Sequence, residues 1–144
     1  MTTYSGSCHC GRIRVALETD LVPESFTPRS CLCGFCRMHS SAAVSDPDGK
    51  ITFSAANRDD ASFYRHGLGL TDFIVCKTCG VYMGALMPCD DGTAVANVMV
   101  KTLDDGDRFT QSSASVIRTE EDEAGKRTRR RAQWSPASFE ERSA

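Results

Sequence analysis

Seven cysteines crowd into three short stretches, and no other feature limits so strongly what this chain can fold into. They are Cys8-His9-Cys10-Gly11, Cys31-Leu32-Cys33-Gly34-Phe35-Cys36 and Cys76-Lys77-Thr78-Cys79-Gly80. Each stretch has a glycine directly after a cysteine. A glycine there lets the backbone turn with positive φ and brings N–H groups toward sulfur, where they steady a thiolate. Residues two apart share a face in an extended chain, whereas on a helix they lie about 200° apart. Cys8/Cys10 and Cys31/Cys33 are therefore expected on strands or turns. Tetrahedral zinc, with bonds to sulfur of about 2.3 Å, needs sulfurs roughly 3.8 Å apart, a spacing that side chains on one face can reach.

Counting decides which stretches share a metal. A four-sulfur site needs two pairs, and joining Cys8/Cys10 to Cys76/Cys79 leaves Cys31, Cys33 and Cys36 as a self-contained set of three. Joining Cys31/Cys33 to Cys76/Cys79 instead would strand Cys8 and Cys10 with distant Cys36 or Cys89, so the first pairing is preferred. The reading is two Zn2+ per chain. Four thiolates around zinc leave no position open, which suits a structural role. Three thiolates leave a corner that water or an incoming thiol can occupy, and the metal would lower the pKa of such a thiol. His39, three residues beyond Cys36, is the candidate for proton transfer or for a fourth ligand. Cys89, in Met87-Pro88-Cys89-Asp90, is expected to be a free thiol on a turn, with the fourth-ligand role as its alternative.

The remaining composition narrows the class. A chain of 144 residues with a formal charge of −2 has no global field to recruit nucleic acid or an anionic membrane. No basic start followed by an apolar run opens the sequence, and no stretch is long enough to span a bilayer, so a cytoplasmic protein is expected. In a reducing compartment eight clustered cysteines favour metal ligands over disulfides.

Short apolar runs, among them Ile13 to Leu17, Ile51 to Phe53, Phe73 to Val75, Val81 to Met87 and Val95 to Val100, alternate with turn signals such as Pro47-Asp48-Gly49 and Asp90-Asp91-Gly92. This pattern predicts a mainly β domain over 1–135, built of short, mainly antiparallel strands. One helix is expected near the end, opened by Thr119 with Asp122 as a capping box and running to about Gln133. Its acid-first, base-last order complements the helix dipole and reads as a solvated helix, not a nucleic-acid patch. Residues 136–144, after Trp134-Ser135-Pro136, are expected to form a loosely ordered tail.

Gly6-Ser7-Cys8-His9-Cys10-Gly11, Cys31-x-Cys33-x-x-Cys36 and Cys76-x-x-Cys79-Gly80 together resemble, in order and approximate separation, the signature motifs of the glutathione-dependent formaldehyde-activating enzyme family, which also includes centromere protein V. The resemblance covers roughly residues 4 to 103. It implies a β-tent fold, a structural zinc on Cys8, Cys10, Cys76 and Cys79, and a catalytic zinc on Cys31, Cys33 and Cys36. The activity it implies is that of a zinc-dependent carbon–sulfur lyase, which adds glutathione or a similar thiol to formaldehyde or another small aldehyde to give an S-hydroxymethyl adduct. The partners are then a small-molecule thiol and an aldehyde. Two other functions fit the residues: a non-catalytic zinc-stabilised interaction module, and a methionine sulfoxide reductase-like enzyme with Cys89 as its only spare nucleophile.

Overall fold

The computed structural model describes residues 1–118 and 120–143. In chain order its elements are β1 (Thr2–Ser7), β2 (Ile13–Thr19), β3 (Arg29–Cys31), α1 (Gly34–Met38), β4 (Ala43–Val44), β5 (Lys50–Ala55), β6 (Ala61–Tyr64), β7 (Asp72–Cys76), β8 (Tyr82–Pro88), β9 (Ala94–Ala96), β10 (Val98–Met99), β11 (Ala114–Val116), α2 (Glu123–Gln133) and β12 (Ser135–Glu141). The fold is mainly β, as expected. An eight-stranded sheet in the order β1-β2-β5-β12-β9-β8-β7-β6 lies with a four-stranded sheet in the order β10-β4-β3-β11.

Period-two alternation explains the first strands. In β2, Ile13, Val15, Leu17 and Thr19 are buried while Arg14 and Glu18 face outward. In β5, Ile51, Phe53 and Ala55 turn inward. Antiparallel register places Val15 opposite Phe53 and Leu17 opposite Ile51, so β-branched and aromatic side chains meet across the strands. Gly84 of β8 is required by close approach, since a Cβ there would collide with the Asn97 carbonyl and the Phe53 ring.

Strands β7 and β8 separate two cores. Ile74 and Met83 join the larger one with Ile13, Leu17 and Phe53. Phe73, Tyr82, Ala85 and Met87 join a smaller one that contains Cys36 and Trp134. The second core is the one that faces the chemistry.

Two expectations are corrected. The tail from 136 is not loose: β12 pairs in parallel with β5, from Ala137↔Ile51 to Glu141↔Ala55, and antiparallel with β9 at Ser135↔Ala96. It is the interior strand that joins the two halves of the large sheet, held by backbone hydrogen bonds on both edges. Most pairings are antiparallel, as expected, with β11 beside β3 the other parallel pair. The late helix begins at Glu123, later than expected, with Asp122 as N-cap accepting a hydrogen bond from the Gly125 N–H at 2.7 Å. An aspartate carboxylate caps as well as a threonine hydroxyl does, and Thr119 lies outside the described residues. A second, five-residue helix, α1, accompanies it.

Candidate metal centres

Two hairpin turns supply the four-cysteine group. Cys8 follows β1, its N–H bonded to the Ile13 carbonyl at 2.9 Å, and Gly11 takes φ +83° so that the chain can turn back into β2. Cys76 ends β7, and Gly80, at φ +79°, closes the turn with its N–H on the Cys76 carbonyl at 2.9 Å. In both turns glycine meets the left-handed geometry that a side chain would strain. The two turns belong to opposite ends of the eight-stranded sheet, yet Cys8 Sγ lies 3.6 Å from Cys10 Sγ, and Cys10 Sγ lies 3.6 Å from Cys76 Sγ. With Cys79, all four sulfurs fall within 4.8 Å of one another. Backbone donors face them, from Ile13 to Cys8 Sγ at 3.3 Å and from Cys79 to Cys76 Sγ at 3.5 Å.

The three-cysteine group comes from one continuous stretch. Cys31 ends β3. Cys33 is the N-cap of α1, its sulfur accepting the Cys36 N–H at 3.4 Å, and Cys36 is buried in the first turn. These three sulfurs also lie within 4.8 Å of one another. Every cysteine is a free thiol, and sulfur separations near 3.6 Å match the roughly 3.8 Å edge of a zinc–thiolate tetrahedron. A donor set of thiolates alone fits zinc.

The sulfurs perturb one another. Cys31 is drawn down to about 5, chiefly by its hydrogen bond with Cys36, and Cys36 is held above the ordinary thiol range by that same contact and by burial. Burial likewise pushes Cys76 up to about 11. A metal must displace the protons held on Cys36 and Cys76, so its affinity falls as the pH falls.

A cavity of about 100 Å3 opens onto Cys31, Cys33 and Cys36. Phe73, Tyr82, Val116 and Trp134 form its apolar wall. Arg29, Arg118, Lys126, Arg129 and Arg130 also line it. Topology explains that charge: β11 sets Val116 beside Cys31, so the chain leaving β11 passes the sulfurs at Arg118 before entering α2. The cavity shares Cys33, His66, Phe73, Lys126 and Arg130 with a wider space of about 310 Å3 under residues 67–71.

His39 does not join the sulfurs. It is exposed, caps the C-terminal end of α1, stacks on Phe35 at 4.4 Å, and lines an adjoining groove with His9 and Met38 that shares Ser41, Tyr82 and Met99 with the cavity. The histidine that reaches the cavity is His66, with a buried Nε2 that has no hydrogen-bond partner and a pKa lowered by burial. Cys89 belongs to neither sulfur group, and its Sγ points to the Met87 carbonyl at 3.8 Å. Cys89→Ser is accordingly expected to leave the metal content per chain unchanged, measured by elemental analysis; loss of one equivalent would place Cys89 among the ligands.

Of Arg12, Arg29, Arg37, Arg58, Arg65 and Lys77, the cations near the cysteine motifs in sequence, Arg29 alone lines the cavity. Arg65 is paired with Asp72 at 2.8 Å, and Arg58 lies over the Phe63 ring at 4.2 Å. Three further cations, Lys126, Arg129 and Arg130, come from α2, read from its charge order as a solvated helix. Lys126, Arg129, Arg130 and Trp134 recur at one-face helical spacing, and that was the signal available.

A mainly β scaffold carrying a closed group of four cysteine sulfurs and a cavity-facing group of three defines a class of protein with two potential metal sites. The chain belongs to the glutathione-dependent formaldehyde-activating enzyme family, whose model matches residues 3–120. No curated protein matches it. A Rhodobacter sphaeroides protein, solved by crystallography as a Northeast Structural Genomics target, has a similar fold with TM-score 0.53 at 22% identity, covering 76% of this chain and 99% of that one. No helix among the described residues is long and apolar enough to cross a membrane.

Proposed function

We propose that the chain is a zinc-dependent carbon–sulfur lyase-type enzyme that joins a thiol to formaldehyde or another small aldehyde as an S-hydroxymethyl adduct, as an S-(hydroxymethyl)glutathione synthase does. The observation that carries this reading is the contrast between the two sulfur groups: Cys8, Cys10, Cys76 and Cys79 close on one another, whereas Cys31, Cys33 and Cys36 face a partly open cavity. The first group would hold a structural zinc and the second a reactive one. Zinc bound by three thiolates supplies Lewis acidity that keeps an incoming thiol deprotonated at neutral pH.

The chain's own residues do the rest. The substrate thiol gives up its proton, its sulfur forms a bond to the carbonyl carbon, and the π electron pair moves to oxygen, which must then take a proton. His66 lines the cavity and is the candidate to hold and return that proton, since its Nε2 has no other hydrogen-bond partner and burial lowers its pKa, favouring the neutral imidazole. Tyr82 stays protonated, because burial and then the charge of Cys36, Cys33 and Cys31 push its phenol well above the usual value. It can therefore donate a hydrogen bond within the cavity but cannot act as a base. Phe73, Val116 and Trp134 restrict water around the adduct.

Adduct formation is measured by NMR with carbon-13 formaldehyde and a thiol at catalytic protein concentration. A rate above the uncatalysed one, lost on chelation, supports the reading. A rate equal to background in protein loaded with two zinc ions, for every thiol tried, would overturn it. His66→Gln is expected to lower kcat by roughly 10²-fold while leaving thiol affinity unaltered.

A further inference from the structure

The cavity over the three cysteines holds more positive charge than its sulfurs can use. Arg129 is matched by Glu121 at 2.8 Å. Among the described residues, Arg29, Arg118, Lys126 and Arg130 have no carboxylate within ion-pair distance. Arg29 spends one nitrogen on the Ser45 hydroxyl, Lys126 donates to the Arg118 carbonyl at 2.8 Å, and Arg130 reaches the Thr71 hydroxyl. The Nε atoms of Arg118 and Arg130 are buried with no partner at all. Buried guanidinium donors without acceptors are costly and are a standard means of recognising carboxylates. Four unmatched cations, set against the single net negative charge of a divalent ion on three thiolates, leave room for three negative charges.

We infer that this cavity selects a compact thiol carrying two carboxylates close to its sulfur, of which mercaptosuccinate is the simplest probe, in preference to a tripeptide thiol. As a thiolate such a molecule brings those three charges. Size points the same way, since about 100 Å3 is well below the roughly 300–1,000 Å3 of sites that enclose drug-sized ligands. The sulfurs and the cations line that one small space, so the anionic groups must sit near the reacting sulfur. A longer thiol would place its carboxylates in the wider space, which also contains Glu121. Lys126, Arg129 and Arg130 come from α2, beyond the 3–120 matched by the family model. The inference rests on the zinc–thiol reading given above.

Trp134, the single tryptophan, lines the cavity with the Arg130 guanidinium 4.8 Å from its ring and reports on occupancy. The metal-loaded protein is titrated with mercaptosuccinate, glutathione and 2-mercaptoethanol, following Trp134 fluorescence. The sulfur-to-metal absorption band of the cobalt-substituted form is followed in parallel. Mercaptosuccinate is expected to bind at least tenfold tighter than either other thiol. Arg130→Gln and, separately, Arg118→Gln should each remove about tenfold of that affinity while leaving 2-mercaptoethanol binding unchanged. If thiols enter the cobalt site but glutathione binds as tightly as mercaptosuccinate, the selectivity is wrong and the thiol reading survives. If no thiol perturbs the cobalt band, both fail.

Discussion

Cys79→Ser is expected to abolish the cooperative thermal transition of this protein, so that far-ultraviolet circular dichroism changes only gradually on heating. The turn after β1 and the turn after β7 stand at opposite ends of an eight-stranded sheet, and the Cys8, Cys10, Cys76 and Cys79 sulfurs bring them together. Closing the sheet in this way fixes the two hairpin ends of a sheet whose strands run from three to seven residues. Binding free energies of roughly 10–16 kcal/mol for structural zinc in small peptides are of the same size as the whole stability of a domain, about 5–15 kcal/mol. Removing one thiolate both weakens the metal and leaves partly buried sulfurs without it. Chelation of the unaltered protein should reproduce the effect and zinc should reverse it. A sharp, metal-independent melt in Cys79→Ser would show that the turns hold together without an ion and would end the structural assignment.

Cys31→Ser should have an opposite signature: a nearly unchanged melt, one zinc per chain instead of two, and adduct formation reduced at least 10³-fold. Cys31 is half-buried at the end of β3, where the backbone pairing to Val116 does not depend on its side chain, so the fold keeps its frame. What is lost is a sulfur that its hydrogen bond with Cys36 draws down to about 5. Two sulfurs remain, too few to hold zinc firmly at pH 7. Retention of full activity with a single zinc would show that the chemistry lies elsewhere. Loss of both metals and of the fold would show that the two groups form one cooperative unit.

These two variants separate the sulfur groups that the cysteine spacing had already distinguished. Glycine after cysteine, two pairs at hairpin positions and a compact set of three were all legible, because ligand spacing is a local property that tertiary packing only assembles. The strands of β2, β5, β7 and β8 were legible for a similar reason, since alternation reports burial directly. The candidate site was legible in its metal ligands and not in its walls. His39 was close to Cys36 along the chain, but the short helix α1 turns it outward onto Phe35. His66 and Trp134, distant in sequence, were brought in by the second core.

The sequence by itself determined a mainly β protein with two sulfur groups and the membership of each. Tertiary structure alone decided that Ser135–Glu141, weakly patterned and carrying a proline, becomes the strand joining the two halves of the main sheet. It also decided that one face of α2 turns its cations toward the three cysteines. Both outcomes depend on long-range pairing: a strand with neighbours on both edges is held by their hydrogen bonds more than by its own side chains. The charge on a helix, in turn, takes its meaning from what the helix is packed against.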